Sequence, residues 1–252
     1  MGNRYYRDFD DGLTTGLTFV NTEGSAPTVV NSFTPAFGSA SNTKLLRFTG
    51  GQTGFGTNGA YTTTGLGSCA NNIIWFGIAF SPSKASGGTS QMKISLETSG
   101  KLWTSNTGIF SLHYDEASPY VKSYSGTNLI QTDALDHAEF IWHGLKIQTN
   151  GSVRIWHAHN NSLGSRINPW KTAPFWSTTM GVTTVTDHAD YSAAGPFHLA
   201  FTFFGGASDQ AYLTPLFWTS NGILIRPPSG LSASATSATT GTLTWTDPIL
   251  WT

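Results

Sequence analysis

Three of the seven histidines in this chain, His143, His157 and His159, lie within residues 141–161. Imidazole nitrogens bind zinc at about 2 Å, so these side chains could form a zinc site if a carboxylate completed it. The sequence ties no carboxylate to this stretch. The alternative is that His143 and His157 are neutral, hydrogen-bonded rings at core positions of two strands, with His159 in the turn that follows.

The spacing of apolar residues around Thr149-Asn150-Gly151 predicts the β-hairpin that would carry these histidines. A three-residue loop with its glycine in the left-handed conformation opposes Ile147 to Val153, so that apolar residues face each other. Continued along both strands, this register sets His143 directly opposite His157, about 5 Å apart at Cβ.

A second possible metal site is the segment "TDHADY" (186–191), which offers Asp187, His188 and Asp190. Short aspartate-rich loops bind calcium when several oxygen atoms converge. A solvated turn has the same composition, so calcium binding stays open here. No cofactor is expected apart from these two possibilities, zinc and calcium.

Four aromatic residues in the least regular part of the chain suit carbohydrate binding: Trp170, Phe175, Trp176 and Tyr191. Aromatic rings stack on the apolar faces of sugars, and Asn and Asp side chains pair with sugar hydroxyls. Residues 160–195 lack clear alternation, which predicts a long ordered loop that closes one end of the fold. The same rings could instead plug that end or pack at a subunit interface.

The sequence contains no catalytic motif, and we expect the protein not to be an enzyme. A Gly-x-Ser-x-Gly nucleophile elbow is missing, and Cys69 lies in "GLGSCANN" with no predicted helix to activate its thiol. The glycine clusters at 50–59 and 86–88 follow strands with no helix after them. They therefore predict loops and not a phosphate cradle.

The composition excludes several classes of protein. Charged residues make up 11% of the 252 residues, the net charge is −1 and no basic stripe occurs, so nucleic acid is not an expected partner. The single cysteine excludes an internal disulfide. No long apolar run and no signal-peptide core occur, so we expect synthesis in a cytoplasm and no membrane insertion.

Helical periodicity is almost absent, and short segments with strand character recur between turn signals. There are ten of them: 17–21, 44–50, 72–82, 91–98, 109–115, 120–125, 138–148, 152–158, 197–205 and 211–220. This spacing predicts an all-β fold, namely a two-sheet antiparallel sandwich of the jelly-roll type. Residues 73–76 and 201–204 are almost continuously apolar, which predicts central strands.

The chain changes character near Arg226. A diproline, Pro227-Pro228, is a stiff and extended spacer, and a Ser/Thr/Ala-rich stretch follows it. We therefore predict a jelly roll over residues 1–225 and a separate C-terminal arm over residues 226–252.

Six motifs follow one another along the chain: "FDDG" (9–12), "KLLRF" (44–48), "IIWFGIAFSPS" (73–83), "SGKLWTSN" (99–106), "WHGLKIQTNGSVRIW" (142–156) and "PLFWTSNG" (215–222). Their order resembles the concanavalin A-like lectin/glucanase jelly rolls, in particular the laminin-G-like domains of phage virion proteins. The stretch from Pro227 to Pro248 resembles the first two strands of a fibronectin type III domain.

The resemblance implies a non-enzymatic structural protein of a virion, such as a tailed phage, that decorates the capsid or forms part of a fibre. Such a protein would lie on the virion surface, contact other virion proteins and assemble as a homo-oligomer or in many copies. The alternative is a carbohydrate-binding adhesin that recognises host surface glycans. A polysaccharide hydrolase is disfavoured, because the Glu-x-Asp-x-x-Glu strand of the glycosidase branch is missing.

Overall fold

The computed structural model describes residues 4–7, 9, 12–30, 44–65, 73–80, 90–104, 110–115, 120–125, 128–134, 141–147, 153–159, 181–185, 197–219, 224–225, 229–235, 241–246 and 250–251. Within these ranges the chain forms strands and no helix. The strands are β1 (Arg4–Arg7), β2 (Leu17–Asn21), β3 (Ser25–Val30), β4 (Leu45–Thr49), β5 (Asn58–Thr62), β6 (Ile73–Phe80), β7 (Gln91–Glu97), β8 (Phe110–Asp115), β9 (Tyr120–Ser125), β10 (Asn128–Ala134), β11 (Ile141–Ile147), β12 (Val153–His159), β13 (Gly181–Val185), β14 (His198–Phe204), β15 (Gln210–Thr219), β16 (Leu224–Ile225), β17 (Ser229–Ala235), β18 (Gly241–Thr246) and β19 (Leu250–Trp251). No helix able to span a membrane is found among the residues described.

Two antiparallel sheets contain most of the strands. The eight-stranded sheet has the order β13-β12-β11-β6-β15-β4-β3, with β1 also paired to β15. The seven-stranded sheet has the order β10-β9-β8-β7-β14-β5-β2. From β1 to β15 the chain changes sheet eight times, so neither sheet is built from one continuous stretch of sequence. The changes fall between β1 and β2, β2 and β3, β4 and β5, β5 and β6, β6 and β7, β10 and β11, β13 and β14, and β14 and β15.

The core lies between the two sheets and is rich in phenylalanine. Phe76 of β6 and Phe201 of β14 belong to different sheets, and their ring centroids are 6.3 Å apart at an interplanar angle of 81°. Phe48 of β4 and Phe203 of β14 make a second contact of this kind at 6.4 Å. All four side chains are fully buried, and burial of each stabilises the fold by roughly 1.5–3 kcal/mol.

Both segments with continuous apolar content are interior strands, as the sequence predicts. β6 is paired on one edge with β11 and on the other with β15, and β14 is paired with β5 and β7. Residues 199–203 of β14 are all buried, on both faces of the strand. The outer face of the seven-stranded sheet is therefore covered at this position.

The turn before β2 holds a strained core residue. Phe9 has a positive φ of 63° although it is not glycine, and its side chain is completely buried in the core cluster. The N–H of Gly12 donates to the carbonyl oxygen of Phe9 at 2.9 Å and closes the turn. Burial of the ring compensates for a conformation that costs about 1–2 kcal/mol in an L-residue.

The ten strands predicted from sequence are all confirmed, with ends that differ by a few residues. The sequence analysis did not predict β1, β3 or β10, and β3 contains Pro27. β3 lies at the edge of its sheet, and its register shifts between Ser25 and Thr28, so the proline falls at an irregularity. Sheet edges and bulges are the places where strands tolerate proline.

Two segments predicted as loops are partly strand, and these predictions were wrong. The glycine cluster at 50–59 ends in β5, because Asn58 and Gly59 pair with β2. The long loop predicted over 160–195 contains β13, which pairs with β12. The run Val182-Thr183-Thr184-Val185 has β-branched side chains throughout, and these favour a strand when a partner edge is present.

The C-terminal part forms short antiparallel pairs of its own. β17 pairs with β18, and β19 pairs with β16. The second pairing crosses the boundary predicted at residue 226, because β16 precedes that boundary and β19 follows it. The division into residues 1–225 and 226–252 stays a prediction.

Candidate functional site

The histidine hairpin has the predicted register. In the pairing of β11 with β12, Ile147 lies opposite Val153, His143 opposite His157, and Ile141 opposite His159. This confirms the three-residue loop that the alternation of apolar residues predicts.

Pairing with the next strand gives the histidines register positions on the core face of the sheet. His143 of β11 lies opposite Phe76 of β6, and the Phe76 ring is buried in the core. Directly paired residues share a face of a sheet, so His143 and His157 hold register positions on the core face. Zinc binding by these two residues with His159 stays a prediction, because the side chains of β11 and β12 lie outside the described part of the chain.

The other residues singled out from the sequence also lie outside the described residues. These are the glycan-binding candidates Trp170, Phe175, Trp176 and Tyr191, the calcium candidates Asp187, His188 and Asp190, and the single cysteine, Cys69. Among the side chains that are described, no group of three or more His, Cys, Asp or Glu could hold a metal ion.

A row of polar and charged side chains crosses the outer face of the seven-stranded sheet. Strand pairing brings one residue from each of four adjacent strands into this outer row: Thr202 (β14), Lys93 (β7), His113 (β8) and Lys122 (β9). The sequence neighbours of the first three lie in the core cluster. Since side chains alternate between the faces of a strand, the outer row is directed away from the core.

The segment after β7, residues 98–104, folds back over the outer face. The backbone N–H of Trp103 donates to Oγ1 of Thr202 at 3.0 Å. Leu102 packs where β5 has a glycine, and a Cβ at Gly59 would lie 3.0 Å from both Leu102 methyl groups. The missing side chain at Gly59 therefore allows the segment to lie directly on the sheet.

Five rings form a continuous aromatic row on this face: Phe204, Phe55, Trp103, His113 and Tyr124. Their consecutive centroid distances are 5.0, 5.1, 5.0 and 4.2 Å. Phe55, Phe204 and Tyr124 are half-buried, while Trp103 is 7% exposed. Such ring pairs add about 0.5–1.5 kcal/mol each to the burial of their area.

Lys93 lies against the middle of the aromatic row. Its Nζ is 5.1 Å from the ring centroid of Phe55 and 5.5 Å from that of Trp103. Burial lowers the pKa of Lys93 to about 8, while the charge of Asp115 acts in the opposite direction and that of Lys122 lowers it further. At neutral pH the side chain still carries its charge, stabilised by the two rings.

His113 is neutral at the same pH. Burial lowers the pKa of its imidazole to about 3, and the positive charges of Lys93 and Lys122 contribute in the same direction. Its Nε2 lies 2.8 Å from Oγ of Ser111, and its ring stacks on Tyr124 at an interplanar angle of 30°. A neutral imidazole can both donate and accept a hydrogen bond.

Glu97 lies at the opposite end of the same face and is fully buried. Oγ of Ser95 donates to its Oε1 at 2.6 Å, and Nζ of Lys101 is 3.8 Å from its Oε2. The other carboxylate described on the outer face of these strands, Asp115, pairs with Gln91, six residues before Glu97 along β7. At about 3.3 Å per residue the two are roughly 20 Å apart, whereas the two carboxylates of a glycosidase lie about 5–9.5 Å apart.

A second polar cluster ties loops together at one end of the sandwich. The buried amide of Asn58 donates to the carbonyl oxygens of Ser25 and Thr49 at 2.9 and 3.2 Å. The carboxylate of Glu23 accepts hydrogen bonds from the N–H and the hydroxyl of Thr53, both at 2.8 Å, and these bonds lower the pKa of Glu23. This cluster satisfies the backbone of the loops and holds their ends in place.

Comparison with known proteins identifies the fold. No protein-family model and no curated protein matches the sequence. Among solved structures, basic winged bean lectin with Tn-antigen matches with a TM-score of 0.52 and 9% identity, over 87% of this chain and 98% of the lectin. The fold is a concanavalin A-like jelly roll.

Two further solved structures with this jelly roll are a lectin-like protein and the catalytic domain of an enzyme. Arcelin-5, a lectin-like defense protein from Phaseolus vulgaris, matches with a TM-score of 0.51 and 8% identity, over 86% of this chain and 97% of arcelin. A GH131 beta-glucanase catalytic domain from Podospora anserina matches with a TM-score of 0.51 and 10% identity, over 86% and 91% of the two chains. At such identities the likeness shows the jelly roll alone, which hosts both binding proteins and enzymes.

The sequence analysis missed the outer face of the seven-stranded sheet, although a signal for it exists. Within β7, Lys93, Ser95 and Glu97 alternate with apolar residues, and in β8 Ser111 and His113 do the same. Alternation of this kind marks a strand with one polar face. The contribution of Phe55 and Trp103 has no such signal, because both rings come from loops.

Proposed function

We propose that the protein is a carbohydrate-binding module that holds a saccharide against the outer face of its seven-stranded sheet. The observation that carries the proposal is the aromatic row, which runs alongside polar groups on one face of a lectin-like fold. Aromatic rings contact the apolar faces of sugars, and the polar groups beside them pair with hydroxyls. Ligand sites are typically lined by apolar groups with a few placed polar groups.

The half-buried groups around the row would make the direct contacts. Phe55 and Phe204 offer ring surface at one end, and Tyr124 and Lys122 lie at the other. Lys93 offers an ammonium donor between them. The deeper rings would then serve to position these groups, because their contacts restrict the rotamers of Phe55 and Tyr124.

The proposal assigns binding and not hydrolysis. Its support is the separation of Glu97 from Asp115 by six residues along the sheet, which is too far for the acid and base or nucleophile of a glycosidase. Turnover of any glycan by the purified protein would contradict this assignment.

Titration calorimetry against a panel of neutral and acidic oligosaccharides tests the proposal. The variant Phe55→Ala should weaken binding about 10-fold or more, since stacking of a ring is worth at least about 1 kcal/mol. Leu13→Ala is the control, because Leu13 is an exposed apolar residue, at 56%, in the turn before β2. If no member of the panel binds, or if Phe55→Ala binds as the wild type does, the proposal fails.

The four aromatic residues singled out from the sequence are an alternative binding place for the saccharide. Trp176→Ala would abolish binding if the saccharide lies in the loop of residues 160–195, and would leave binding unchanged if it lies on the outer face. The pair Phe55→Ala and Trp176→Ala therefore separates the two locations in one titration series.

A place on a virion surface remains a prediction of the sequence analysis and is compatible with glycan binding. Contact with other virion proteins and assembly in many copies belong to the same prediction. Mass spectrometry of purified particles tests it, and recovery of the protein only as a free species in a host cytoplasm would contradict it.

A further inference from the structure

Lys93 is a buried cation without an anionic partner in the part of the chain that is described. The residue is 7% exposed, and its ammonium lies over the rings of Phe55 and Trp103. Neither a hydrogen bond nor an ion pair is made to its ammonium by the described residues. A desolvated ammonium offers three donors and is costly to leave unpaired.

The described charges around Lys93 cancel each other, so the charge of Lys93 itself is left uncompensated. Lys122 occupies the same row two strands away, beyond His113, which is uncharged at neutral pH. Asp115 is close enough for its charge to act on Lys93, so the two lysines and this carboxylate sum to a net charge of +1. A ligand that carries one negative charge would neutralise this face.

We propose that the outer face selects an acidic saccharide, whose anionic group pairs with the ammonium of Lys93 while its sugar ring lies on Phe55. This inference rests on the carbohydrate-binding function proposed above and gives it a substrate class. A carboxylate or a sulfate ester would supply the oxyanion, and both form charge-assisted hydrogen bonds with an ammonium. A neutral sugar would leave the charge of Lys93 unpaired.

Matched pairs of oligosaccharides that differ only in charge test the inference. The probes are oligomers of galacturonate, guluronate and mannuronate, each with its methyl ester, and oligomers of sulfated galactan with the desulfated form. We expect the wild-type protein to bind at least one charged form about 10-fold more tightly than its neutral partner at pH 7 and low salt. The pair of oligosaccharides that shows this preference identifies the oxyanion as a carboxylate or a sulfate.

Variants assign the preference to Lys93. Lys93→Met should bind the charged and neutral forms equally, and Lys93→Gln, which keeps a neutral donor, should behave in the same way. The matched control is Lys101→Met, because Lys101 is an exposed lysine near the same face that lies 3.8 Å from Glu97. It should retain the full preference of the wild type.

The wild-type preference should also fall between pH 7 and 9.5, as Lys93 loses its proton near pH 8. The charged or titratable groups that act on this ammonium are Asp115, Lys122 and His113, and the neutral partner oligosaccharide serves as the internal reference. A preference that persists unchanged at pH 9.5 would overturn the assignment to Lys93.

Failure of this inference differs from failure of the proposed function. Binding of neutral oligosaccharides that depends on Phe55, without preference for the charged forms, would overturn the inference and support the proposed function. A charge preference that survives in Lys93→Met would also overturn it. The absence of any binding, charged or neutral, would overturn both.

Discussion

The molecule places histidines in two opposite settings. His143 and His157 face each other across β11 and β12, at a register that matches the buried Phe76. His113 lies on the outer face of the other sheet, in contact with Trp103 and Tyr124 and near Lys93. The first pair is conspicuous in the sequence and holds register positions on the core face. The second setting is inconspicuous in the sequence and combines rings, charge and partial exposure, which are the properties of a binding surface.

The comparison shows that closeness along the chain is a poor guide to a site in a β-sandwich. Residues two positions apart in a strand lie on the same face of the sheet. Which of the two faces is buried depends on what packs against the sheet. Binding groups are recruited from neighbouring strands and from loops that are distant in sequence. Phe55, Trp103 and Tyr124 meet on one face although more than 20 residues separate each from the next.

The largest expected effect tests whether the outer face is an integral part of the fold. Trp103→Ala removes ring contacts with Phe55, His113 and Lys93 and leaves a cavity beneath residues 98–104, so the free energy of unfolding should fall by about 3–5 kcal/mol. Urea denaturation measures it, with the exposed Leu13→Ala as the control, which should change stability by less than about 0.5 kcal/mol. A loss below about 1 kcal/mol for Trp103→Ala would contradict the packing described for this face.

The next effect is a dependence of stability on acid pH that originates in His113. Its pKa in the folded protein, about 3, lies below its ordinary value of 6.5, so the unfolded chain binds more protons between these values. The free energy of unfolding therefore falls as the pH falls through this window, by about 2–3 kcal/mol between pH 6.5 and 4.5. His113→Gln should lack this contribution, and denaturation curves at both pH values measure it. Equal pH dependence in wild type and variant would show that His113 titrates normally.

A smaller effect of opposite sign is expected for Lys93. Burial of its charge destabilises the protein, so Lys93→Met should raise the free energy of unfolding at pH 7 by about 1–3 kcal/mol, with part of the gain offset by lost contacts between the cation and the rings. Between pH 8 and about 10.5 the unfolded chain binds more protons than the folded protein, so wild-type stability should rise relative to the variant. Lys101→Met is the control for the loss of a lysine, and it should not raise the free energy of unfolding, because it removes the cation beside the buried carboxylate of Glu97. A destabilised Lys93→Met would mean that the lysine is a structural element and not a group held ready for a ligand.

The smallest expected effect concerns zinc at the histidine hairpin. If His143 and His157 are core residues, purified protein should contain no stoichiometric zinc, and EDTA should leave the melting temperature unchanged. Elemental analysis and a thermal melt measure both. A fall in melting temperature on chelation that is absent in His157→Ala would identify a metal site at the hairpin. It would contradict the view that these histidines are only core residues.

Much of the fold could be predicted from the sequence because two-residue periodicity is a local property. Ten strands, the interior positions of β6 and β14, and the register of β11 with β12 all follow from alternation and turn residues. The errors arose where local signals conflict with the environment. Pro27 is tolerated at an irregular edge, and Gly59 lies within a strand because Leu102 and the Phe201 carbonyl approach its Cα closely.

The candidate site could not be predicted in the same way. Trp103 is the clearest example, since the tryptophan follows a strand in an ordinary "SGKLW" turn and nothing local indicates that the turn folds back onto Thr202. The pKa shifts of Lys93 and His113 likewise depend on burial by groups from other parts of the chain. Only the polar alternation within β7 and β8 could have indicated the face.

By itself, the sequence determined that this protein is an all-β sandwich, which strands it uses and how its most regular hairpin is paired, because these depend on the alternation of neighbouring residues. Only the tertiary structure decided which face of each strand is buried and which polar residues meet. Those outcomes depend on the packing of segments that are far apart in the chain. Histidine therefore holds register positions on the core face in one sheet and is part of the candidate carbohydrate-binding surface in the other.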